Sequence, residues 1–427
     1  MADPPANDFI AEAERAGLVL PPKRRANPWL ATALVVVIVL SALGIGAASG
    51  WLNPSSSSSG FVPPTTCSSP AAQLYGSLPD DTDPGLNASV QNLSAGYREA
   101  SGNCVETVWN SSPSADPLGE LASREVDVAS VDLLPTPAAL AALPSPALVY
   151  PSSMSAVLVA YNLPGAGESL HLNGAAIAEI YLGQVRDWND PRLTALDPAL
   201  ASVTPLNITV VYRSDASSLT SQFTGYLAES DANWADSLGT GEQVSWRTGH
   251  PVEGNGAMVG YLATHPGAIG YLTGTTPVPV GVGVAELQNA VGKFASANAT
   301  GLADAAMAMA NASDASGSGG WDAEIALYAA NWSYPLTTFS YFVLYADLAK
   351  AYGSPFTWTL AWGLLAFLEW AAHEGAPASP SGVNAELPAS LVTRVGEVLD
   401  EVDYNGASVV LGGDAEGGEP GNETGEF

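Results

Sequence analysis

The chain has 427 residues and a formal net charge of −30 at pH 7, with 13 lysine and arginine residues against 43 aspartate and glutamate residues. A chain of this length can bury a sizeable core and form two lobes. The charge excludes nucleic-acid binding, because the chain lacks the basic residues that would neutralise a run of phosphates. The two cysteines and four scattered histidines show no metal-ligand spacing, so we expect neither a metal nor a cofactor.

The N-terminus carries a basic cluster, Lys23-Arg24-Arg25, followed by an uncharged apolar segment. Roughly 20 apolar residues are enough to cross a hydrocarbon core, and basic flanks stay on the cytoplasmic side. The sequence therefore predicts a cytoplasmic segment 1–27, a single transmembrane anchor 28–50 in the cell membrane, and an extracellular remainder. A cleaved signal peptide is the alternative, since residues 44–50 are mostly small, although the hydrophobic core of such peptides has only about 7–15 residues.

Features of exported proteins follow the apolar segment. Residues 51–70 form a linker rich in serine and proline, and the acidic, glycine-rich tail 407–427 is typical of disorder. An oxidising compartment permits a disulfide between Cys67 and Cys104, with two free buried thiols as the alternative. Asn-X-Ser/Thr sequons predict N-glycosylation, except at Asn207, which directly precedes a predicted strand. The eight sequons are at Asn87, Asn92, Asn110, Asn207, Asn298, Asn311, Asn331 and Asn422.

Predicted strands and helices alternate between the linker and the tail. The patterns indicate a helix over 118–124, buried strands over 126–131 and 155–161, a helix and then an irregular loop within 285–333, a strand over 337–345 and an apolar helix over 357–373. The last helix is too short to span a bilayer, so we expect it to pack on a sheet. Such alternation predicts parallel sheets that bind ligands at the carboxyl ends of their strands.

The most informative segment is ITVVYRSDASSLTSQFTGYL, residues 208–227. A short β-branched strand ends at Arg213, and apolar residues at helical spacing follow Ser217 and Ser218. A guanidinium, serine hydroxyls and the free N–H groups of a helix N-terminus together suit a tetrahedral oxyanion, while Asp215 can hold the guanidinium in place. The alternative is an ordinary strand–turn–helix with a serine N-cap and a surface Arg–Asp pair.

This segment resembles the RSDGSGTT signature of the phosphate-binding proteins of ABC transporters. Three further segments resemble the same family in the same order, namely the turn YNLPG at 161–165, LNGAAIAEIYLGQVRDWNDPRL at 172–193 and EGNGAMVGYLATHPGAIGYL at 253–272. The C-terminal part, from Tyr334 onwards, follows the family more loosely. We therefore expect a member of this family.

The resemblance implies an α/β fold of the two-lobed periplasmic-binding-protein type, often called a Venus flytrap, with the ligand in a cleft between the lobes. In this arrangement the first lobe comprises 71–151 and 334–406, and the second lobe comprises 152–333.

Three residues of the second lobe match the family positions that bind the anion and orient the arginine, namely Arg213, Asp215 and Ser217. Ser218 stands where the family has glycine, and this replacement still leaves a backbone N–H that can donate to the anion. Leu219 stands where the family usually has a phosphate-contacting threonine, so one hydroxyl donor is missing.

From the first lobe, VDVASVD at 126–132 resembles the family strand that ends in a ligand-facing aspartate, which places Asp132 at that position. An aspartate facing an anion requires a ligand that can donate a proton, as HPO4 2− can and sulfate cannot, so Asp132 would select phosphate. A turn or helix-capping role is the alternative for Asp132. The family's first ligand loops match poorly; Ser69 and Ser112 are the first-lobe candidates, with an ordinary loop serine as the alternative for each.

These expectations combine into a membrane-anchored extracellular receptor that binds inorganic phosphate and delivers it to an ABC permease. One alternative is a receptor for another tetrahedral oxyanion, because of Leu219. Another is a glycosylated surface protein that has lost ligand binding, because of the weak first-lobe loops. An enzyme is not expected, since the sequence contains no G-x-S-x-G, H-E-x-x-H or Walker A motif, and no nucleophile–base pair supports a phosphatase.

Overall fold

A computed structural model describes residues 72–78, 94–98, 104–111, 116–166, 169–302, 305, 333–354, 356–374 and 387–409. The cytoplasmic segment, the anchor and the linker that the sequence predicts, and the tail beyond residue 409, lie outside the described residues. Within the described ranges, no helix combines the length and the apolar character that crossing a membrane requires.

Helices and strands alternate through the described residues. The strands are β1 (Ala72–Leu78), β2 (Val105–Ser111), β3 (Val128–Val131), β4 (Ala147–Tyr161), β5 (His171–Leu172), β6 (Thr209–Arg213), β7 (His250–Val252), β8 (Ala268–Thr273), β9 (Gly283–Val284), β10 (Glu286–Gln288), β11 (Phe294–Ala295), β12 (Thr337–Tyr345), β13 (Asp403–Tyr404) and β14 (Ala407–Ser408). The helices are α1 (Pro117–Ser123), α2 (Pro137–Ala141), α3 (Gly174–Tyr181), α4 (Pro191–Leu196), α5 (Ser218–Ser230), α6 (Ala232–Ser237), α7 (Gly254–Thr264), α8 (Leu348–Tyr352), α9 (Trp358–Glu374) and α10 (Ala389–Leu399), with a 3-10 helix at Pro198–Ser202.

One mixed sheet organises the molecule, with its strands in the order β2-β1-β3-β12-β4-β8-β6-β7 and β9 beside β4. Pairing is parallel among β1, β2 and β3 and among β6, β7 and β8. It is antiparallel where β12 meets β3 and β4 and where β4 meets β8. The parallel sheets predicted from the alternation are therefore confirmed within each half and joined by antiparallel strands.

The 15-residue strand β4 joins the two halves of this sheet. Its residues up to Ala156 pair with β12, and its residues from Val157 pair with β8. We call β1, β2, β3, β12 and the start of β4 the first sheet half, and β6 to β9 with the end of β4 the second. The predicted strand over 155–161 is therefore too short, since β4 begins at Ala147. Residues 147–154 gave no clear strand pattern because they contain a proline and polar residues and no continuous apolar run.

Two other predictions meet different outcomes. The strand predicted over 337–345 is confirmed as β12. The helix predicted to begin the 285–333 segment is wrong for residues 286–295, where β10 pairs with both β5 and β11. The reason is tertiary packing: the side chain of Leu287 is fully buried between these strands, and this contact overrides the alanine-rich local composition.

An aromatic cluster in the second sheet half fixes α5 on the sheet. The rings of Phe223 and Tyr271 stack with their centroids 4.4 Å apart, and the ring of Tyr181 meets Phe223 edge-on at 5.0 Å. Leu219, Phe223 and Leu227 are all buried, as their helical spacing predicts. The packing of this face holds the N-terminus of α5 at the carboxyl end of β6.

Asp127, just before β3, introduces a pH dependence into the first sheet half. Burial raises the pKa of this carboxyl from 3.8 to about 6, although the backbone N–H of Tyr75 donates to it at 2.8 Å and lowers the pKa in part. The folded pKa lies above the unfolded one, so the contribution of Asp127 to stability is full below pH 3.8 and is lost as the pH rises through 6.

We expect Asp127→Asn to raise the free energy of unfolding at pH 7.5 by on the order of 2 kcal/mol and to change it little at pH 3.5. The amide removes the buried charge and keeps an oxygen that can accept from Tyr75. Urea denaturation at the two pH values measures the difference; an equal effect at both would contradict the assigned cause.

Candidate functional site

A cavity opens where the two sheet halves meet. Its walls come from the crossing strands β4 and β12, the ends of β3 and β6, the start of α5, the first turn of α7 and the end of β8. It is lined by Asp132, Ser153, Ser155, Arg213, Ser217, Ser218, Leu219, Gln222, Asn255, Thr273, Thr275, Thr338, Phe339 and Ser340. Its volume of about 70 Å³ is far below the roughly 300–1,000 Å³ of pockets for drug-sized ligands, so the cavity suits a small ion.

Arg213 is the only cation among the described residues that line the cavity. Its side chain is 3% exposed. Nε donates to Oδ1 of Asp215 at 2.8 Å, Nη2 donates to the other oxygen of the same carboxylate, and Nη1 donates to Oδ1 of Asn255 at 2.8 Å. These three bonds fix the plane of the guanidinium, and a planar cation of this kind matches an oxyanion.

Asp215 is held from two sides. Burial alone would raise the pKa of this carboxyl, but the hydrogen bonds from Arg213 and from the backbone N–H of Gly254, together with the charge of Arg213, lower the pKa below its ordinary value. The N–H of Gly254 reaches Oδ1 of Asp215 at 3.2 Å because the glycine has a φ of +74°, a conformation that other residues rarely adopt. Asp215 therefore stays ionised and orients Arg213.

The backbone of Arg213 is also anchored. Its N–H donates to the hydroxyl oxygen of Tyr271 at 3.1 Å, and this hydroxyl lies 2.8 Å from Oγ1 of the fully buried Thr220. Burial raises the pKa of Tyr271 to about 12, so its phenol stays protonated at neutral pH. The end of β6 is thereby tied to the first turn of α5.

The N-terminus of α5 faces the cavity with Ser217 and Ser218. Ser217 is the N-cap residue, yet its side chain makes no capping hydrogen bond. The first N–H groups of a helix have no partner within the helix, and the helix dipole favours an anion at this end. Ser217, Ser218 and Arg213 therefore present donors to one cavity from consecutive elements of the chain.

Asp132 also lines the cavity, directly after β3 and in contact with α5. Its Oδ1 accepts from the hydroxyl of Ser340 at 2.9 Å, and its Oδ2 lies 3.4 Å from the hydroxyl of Ser218. Its backbone oxygen accepts from Nε2 of Gln222 at 2.8 Å. The N-cap of the following helix α2 is Thr136, so Asp132 does not cap a helix. Its carboxylate faces the same cavity as the guanidinium of Arg213.

Asn255 and Gln222 are among the cavity residues that sequence analysis did not predict. Asn255, 42 residues further along the chain, fixes Arg213 from the first turn of α7, and Gln222 joins α5 to the loop after β3. The segment containing Asn255 resembles the family, but nothing local indicates that its amide meets an arginine. The side chain of Gln222 is 9% exposed, and a glutamine on the buried face of a predicted amphipathic helix was the available signal.

Three predicted residues lie outside the described residues, namely Ser69, Ser112 and Cys67. Cys104 is buried and disulfide-bonded, and the sequence contains one other cysteine. The pairing of Cys67 with Cys104 stays a prediction. Among the described residues, no group of three or more His, Cys, Asp or Glu side chains is arranged to hold a metal ion.

Leu219 lines the cavity with an apolar side chain that is 7% exposed. We expect Leu219→Thr to strengthen phosphate binding by about three- to tenfold, because the new hydroxyl adds one donor beside the helix N-terminus. Leu219→Val has nearly the shape of threonine without the hydroxyl and serves as the matched control. Calorimetric titration of both variants measures the effect; equal affinities for the two would show that the hydroxyl does not reach the ligand.

Comparisons with known proteins agree with this geometry. A model of the PBP (periplasmic-binding-protein) superfamily domain matches residues 81–374. The phosphate-binding protein PstS of Haemophilus influenzae is 30% identical over 253 residues, which cover 58% of this chain and 70% of that protein. The chain belongs to the phosphate-binding proteins of the PBP superfamily. This family consists of binding proteins of transport systems and not of enzymes, which confirms the prediction that the chain is not an enzyme.

Two further relatives extend the comparison. The phosphate-binding protein PstS of Methanocaldococcus jannaschii is 35% identical over 154 residues, covering 34% of this chain and 40% of that protein. The subatomic-resolution structure of a high-affinity periplasmic phosphate-binding protein bound with phosphate has a TM-score of 0.53 and 14% identity, covering 76% of this chain and 93% of that chain. The predicted α/β fold with two lobes of the periplasmic-binding-protein type is thereby confirmed.

Proposed function

We propose that this chain is an extracellular receptor that binds inorganic phosphate in the cavity between the two sheet halves. The observation that carries the proposal is that Arg213 and Asp132 both line one small cavity. Arg213 supplies the positive charge and bidentate donors. Asp132 accepts a hydrogen bond from the P–OH group of HPO4 2− and repels an oxyanion without a proton.

The negative charge of the whole protein opposes the capture of an anion, so the local arrangement has to overcome it. The net charge is −30, but charges beyond about 10 Å are largely screened at physiological ionic strength. Arg213 lies in a buried position where its field is less screened, and the N-terminus of α5 adds oriented N–H dipoles. Short-range interactions therefore dominate binding, and we expect the affinity to depend only weakly on salt.

Calorimetric titration with phosphate, arsenate and sulfate at fixed pH and ionic strength tests this function. We expect phosphate to bind, arsenate to compete because HAsO4 2− has the same shape and a proton, and sulfate to bind far more weakly. Equal binding of sulfate would favour the second candidate, a receptor for another tetrahedral oxyanion, which Leu219 motivates. Binding of none of the three would favour a surface protein that has lost its ligand.

We further propose that residues 28–50 anchor the receptor in the membrane and that it delivers phosphate to the permease of an ABC transporter. The support is the basic cluster before the apolar segment and the family to which the chain belongs. N-terminal sequencing of the native protein tests the anchor, and a mature chain that starts near Gly50 would refute it. Co-purification with the permease from phosphate-starved cells tests the partner, and an isolated receptor would refute it.

The exported location also motivates the covalent modifications. We propose a Cys67–Cys104 disulfide, since closing a loop of this length can contribute roughly 3–4 kcal/mol, and N-glycans on the sequons. Among the sequons in the described residues, the side chains of Asn110, Asn207 and Asn298 are exposed. Asn207 precedes β6, where we expect no glycan. Mass spectrometry of unreduced peptides decides both points: free thiols or unmodified sequons would refute the respective proposal.

A further inference from the structure

We propose that the crossing strands β4 and β12 supply a second set of ligand donors, four hydroxyl groups that we call the hydroxyl patch. The patch consists of Ser153, Ser155, Thr338 and Ser340, all of which line the cavity. The inference rests on the proposed oxyanion-binding function and assigns ligand contacts to strands on which sequence analysis predicted none.

The register of the two strands builds the patch. Thr338 pairs directly with Ser155, and Ser340 pairs directly with Ser153. Residues two apart on a strand point to the same face of a sheet, and directly paired residues have Cβ atoms about 4.5–5.5 Å apart. The four hydroxyls therefore form a compact square on the side of the sheet that faces the cavity.

Three of the four hydroxyls make no hydrogen bond with the described residues. The Oγ atom of Ser155 is buried and has no hydrogen-bond partner among the described residues. A buried hydroxyl without a partner is costly and uncommon in native proteins, so its persistence in the wall of a cavity points to a partner that arrives with the ligand. The hydroxyls of Ser153 and Thr338 likewise make no hydrogen bond within the part of the chain that the structure describes.

The fourth hydroxyl has a different part. Ser340 donates to Oδ1 of Asp132 at 2.9 Å and so directs the carboxylate on the adjacent wall. The hydroxyl patch and Asp132 are therefore one continuous polar surface of the cavity wall, and Asp132 joins it to α5 through Ser218 and Gln222. An anion in the cavity then meets donors of the crossing strands as well as those of Arg213 and α5.

The chemistry of the patch defines the ligand class. A hydroxyl donates one hydrogen bond and also accepts, so it can bind either a bare or a protonated oxygen of a tetrahedral oxyanion. Hydroxyls add no charge, so they can donate hydrogen bonds to the ion without adding to the negative charge of Asp132 and Asp215. The patch thus suits a partly protonated, phosphate-like oxyanion, and it replaces the donor that is missing at Leu219.

The test uses Ser155→Ala and Thr338→Val, with Ser145→Ala as the matched control. Ser145 also has a buried Oγ without a partner among the described residues, but it does not line the cavity. Each variant is titrated with inorganic phosphate by calorimetry, and its unfolding is followed in urea without phosphate.

We expect Ser155→Ala and Thr338→Val each to weaken phosphate binding by about three- to tenfold, the usual effect of losing one neutral hydrogen bond. Ser155→Ala should leave the stability of the ligand-free protein unchanged or higher, because an unsatisfied hydroxyl is removed, and Ser145→Ala should bind as the wild type does. Wild-type affinity in both patch variants, or weaker binding only in parallel with lower stability, would overturn the proposal. Failure of the wild-type protein itself to bind phosphate would instead overturn the proposed function.

Discussion

We expect that replacement of Arg213 by alanine abolishes the binding of phosphate at micromolar phosphate concentrations. Removing one member of a desolvated charge pair costs on the order of 2–5 kcal/mol of binding free energy, a loss of roughly 30-fold to 4,000-fold. The upper part of this range is expected, because Arg213 is the only cation among the described residues that line the cavity and its side chain is 3% exposed. None of the other described lining residues carries a positive charge that could replace it. Calorimetric titration measures the loss.

Arg192→Ala is a matched control, because Arg192 also pairs with an aspartate two residues away, Asp190, at 2.8 Å. Its side chain is exposed and lies outside the cavity, so the variant changes the net charge by the same amount without touching the ligand. Exposed ion pairs contribute about 0–1 kcal/mol to stability. We expect wild-type affinity for Arg192→Ala, and equal losses in the two variants would indicate that only the overall field matters.

Replacement of Arg213 by lysine asks whether charge alone is sufficient. A lysine ammonium is a compact point charge and cannot hold Asp215, Asn255 and an anion in one plane. We expect Arg213→Lys to recover only a small part of the lost affinity. A wild-type phosphate affinity in Arg213→Lys would show that binding does not need the planar guanidinium. It would also show that the hydrogen bonds that orient the guanidinium are not needed.

Replacement of Asp132 by asparagine is expected to change ligand selection more than phosphate affinity. The carboxylate repels fully ionised sulfate, and juxtaposed like charges cost several kcal/mol. An amide removes this repulsion and adds donors, so sulfate binding should strengthen by at least about 100-fold, while phosphate loses one strong acceptor and should weaken by about tenfold or less. The ratio of the sulfate and phosphate dissociation constants at fixed pH and ionic strength is the quantity to measure.

Asp231→Asn controls for the change in net charge that accompanies Asp132→Asn. Asp231 is the N-cap of α6, where its side chain accepts from the N–H of Trp234, and asparagine caps a helix about as well as aspartate does. We expect this variant to keep the wild-type ratio of the two dissociation constants. An unchanged ratio in Asp132→Asn as well would remove Asp132 from the ligand site and with it the main reason to prefer phosphate over other oxyanions.

Local sequence was sufficient to predict the Arg213 side of the cavity. Arg213, Asp215, Ser217 and Ser218 lie within six consecutive residues, and the change from β-branched to helical periodicity marks where the strand ends and the helix starts. The relative positions of these residues follow from the single junction between strand and helix, so the local sequence is nearly sufficient to predict them. The end of the buried strand before Asp132 is also a local signal, whereas the ligand-facing role of Asp132 is what the resemblance to the family implies and stays a prediction.

The other walls of the cavity depend on contacts between distant parts of the chain. Asn255 reaches Arg213 only because α7 begins beside β6, and Ser155 lies opposite Thr338 only because β4 and β12 pair in one register. A shift of one residue in that register would turn these hydroxyls to the other face of the sheet. Neither relation leaves a pattern within a short window of sequence, so the hydroxyl patch could not be predicted from the sequence.

A crystal structure of the protein grown with phosphate and without sulfate tests the central claim most directly. We expect one tetrahedral anion in the cavity, within hydrogen-bond distance of the guanidinium of Arg213, of the first turn of α5 and of the carboxylate of Asp132. An empty cavity at saturating phosphate, or an anion bound only elsewhere on the surface, would contradict it.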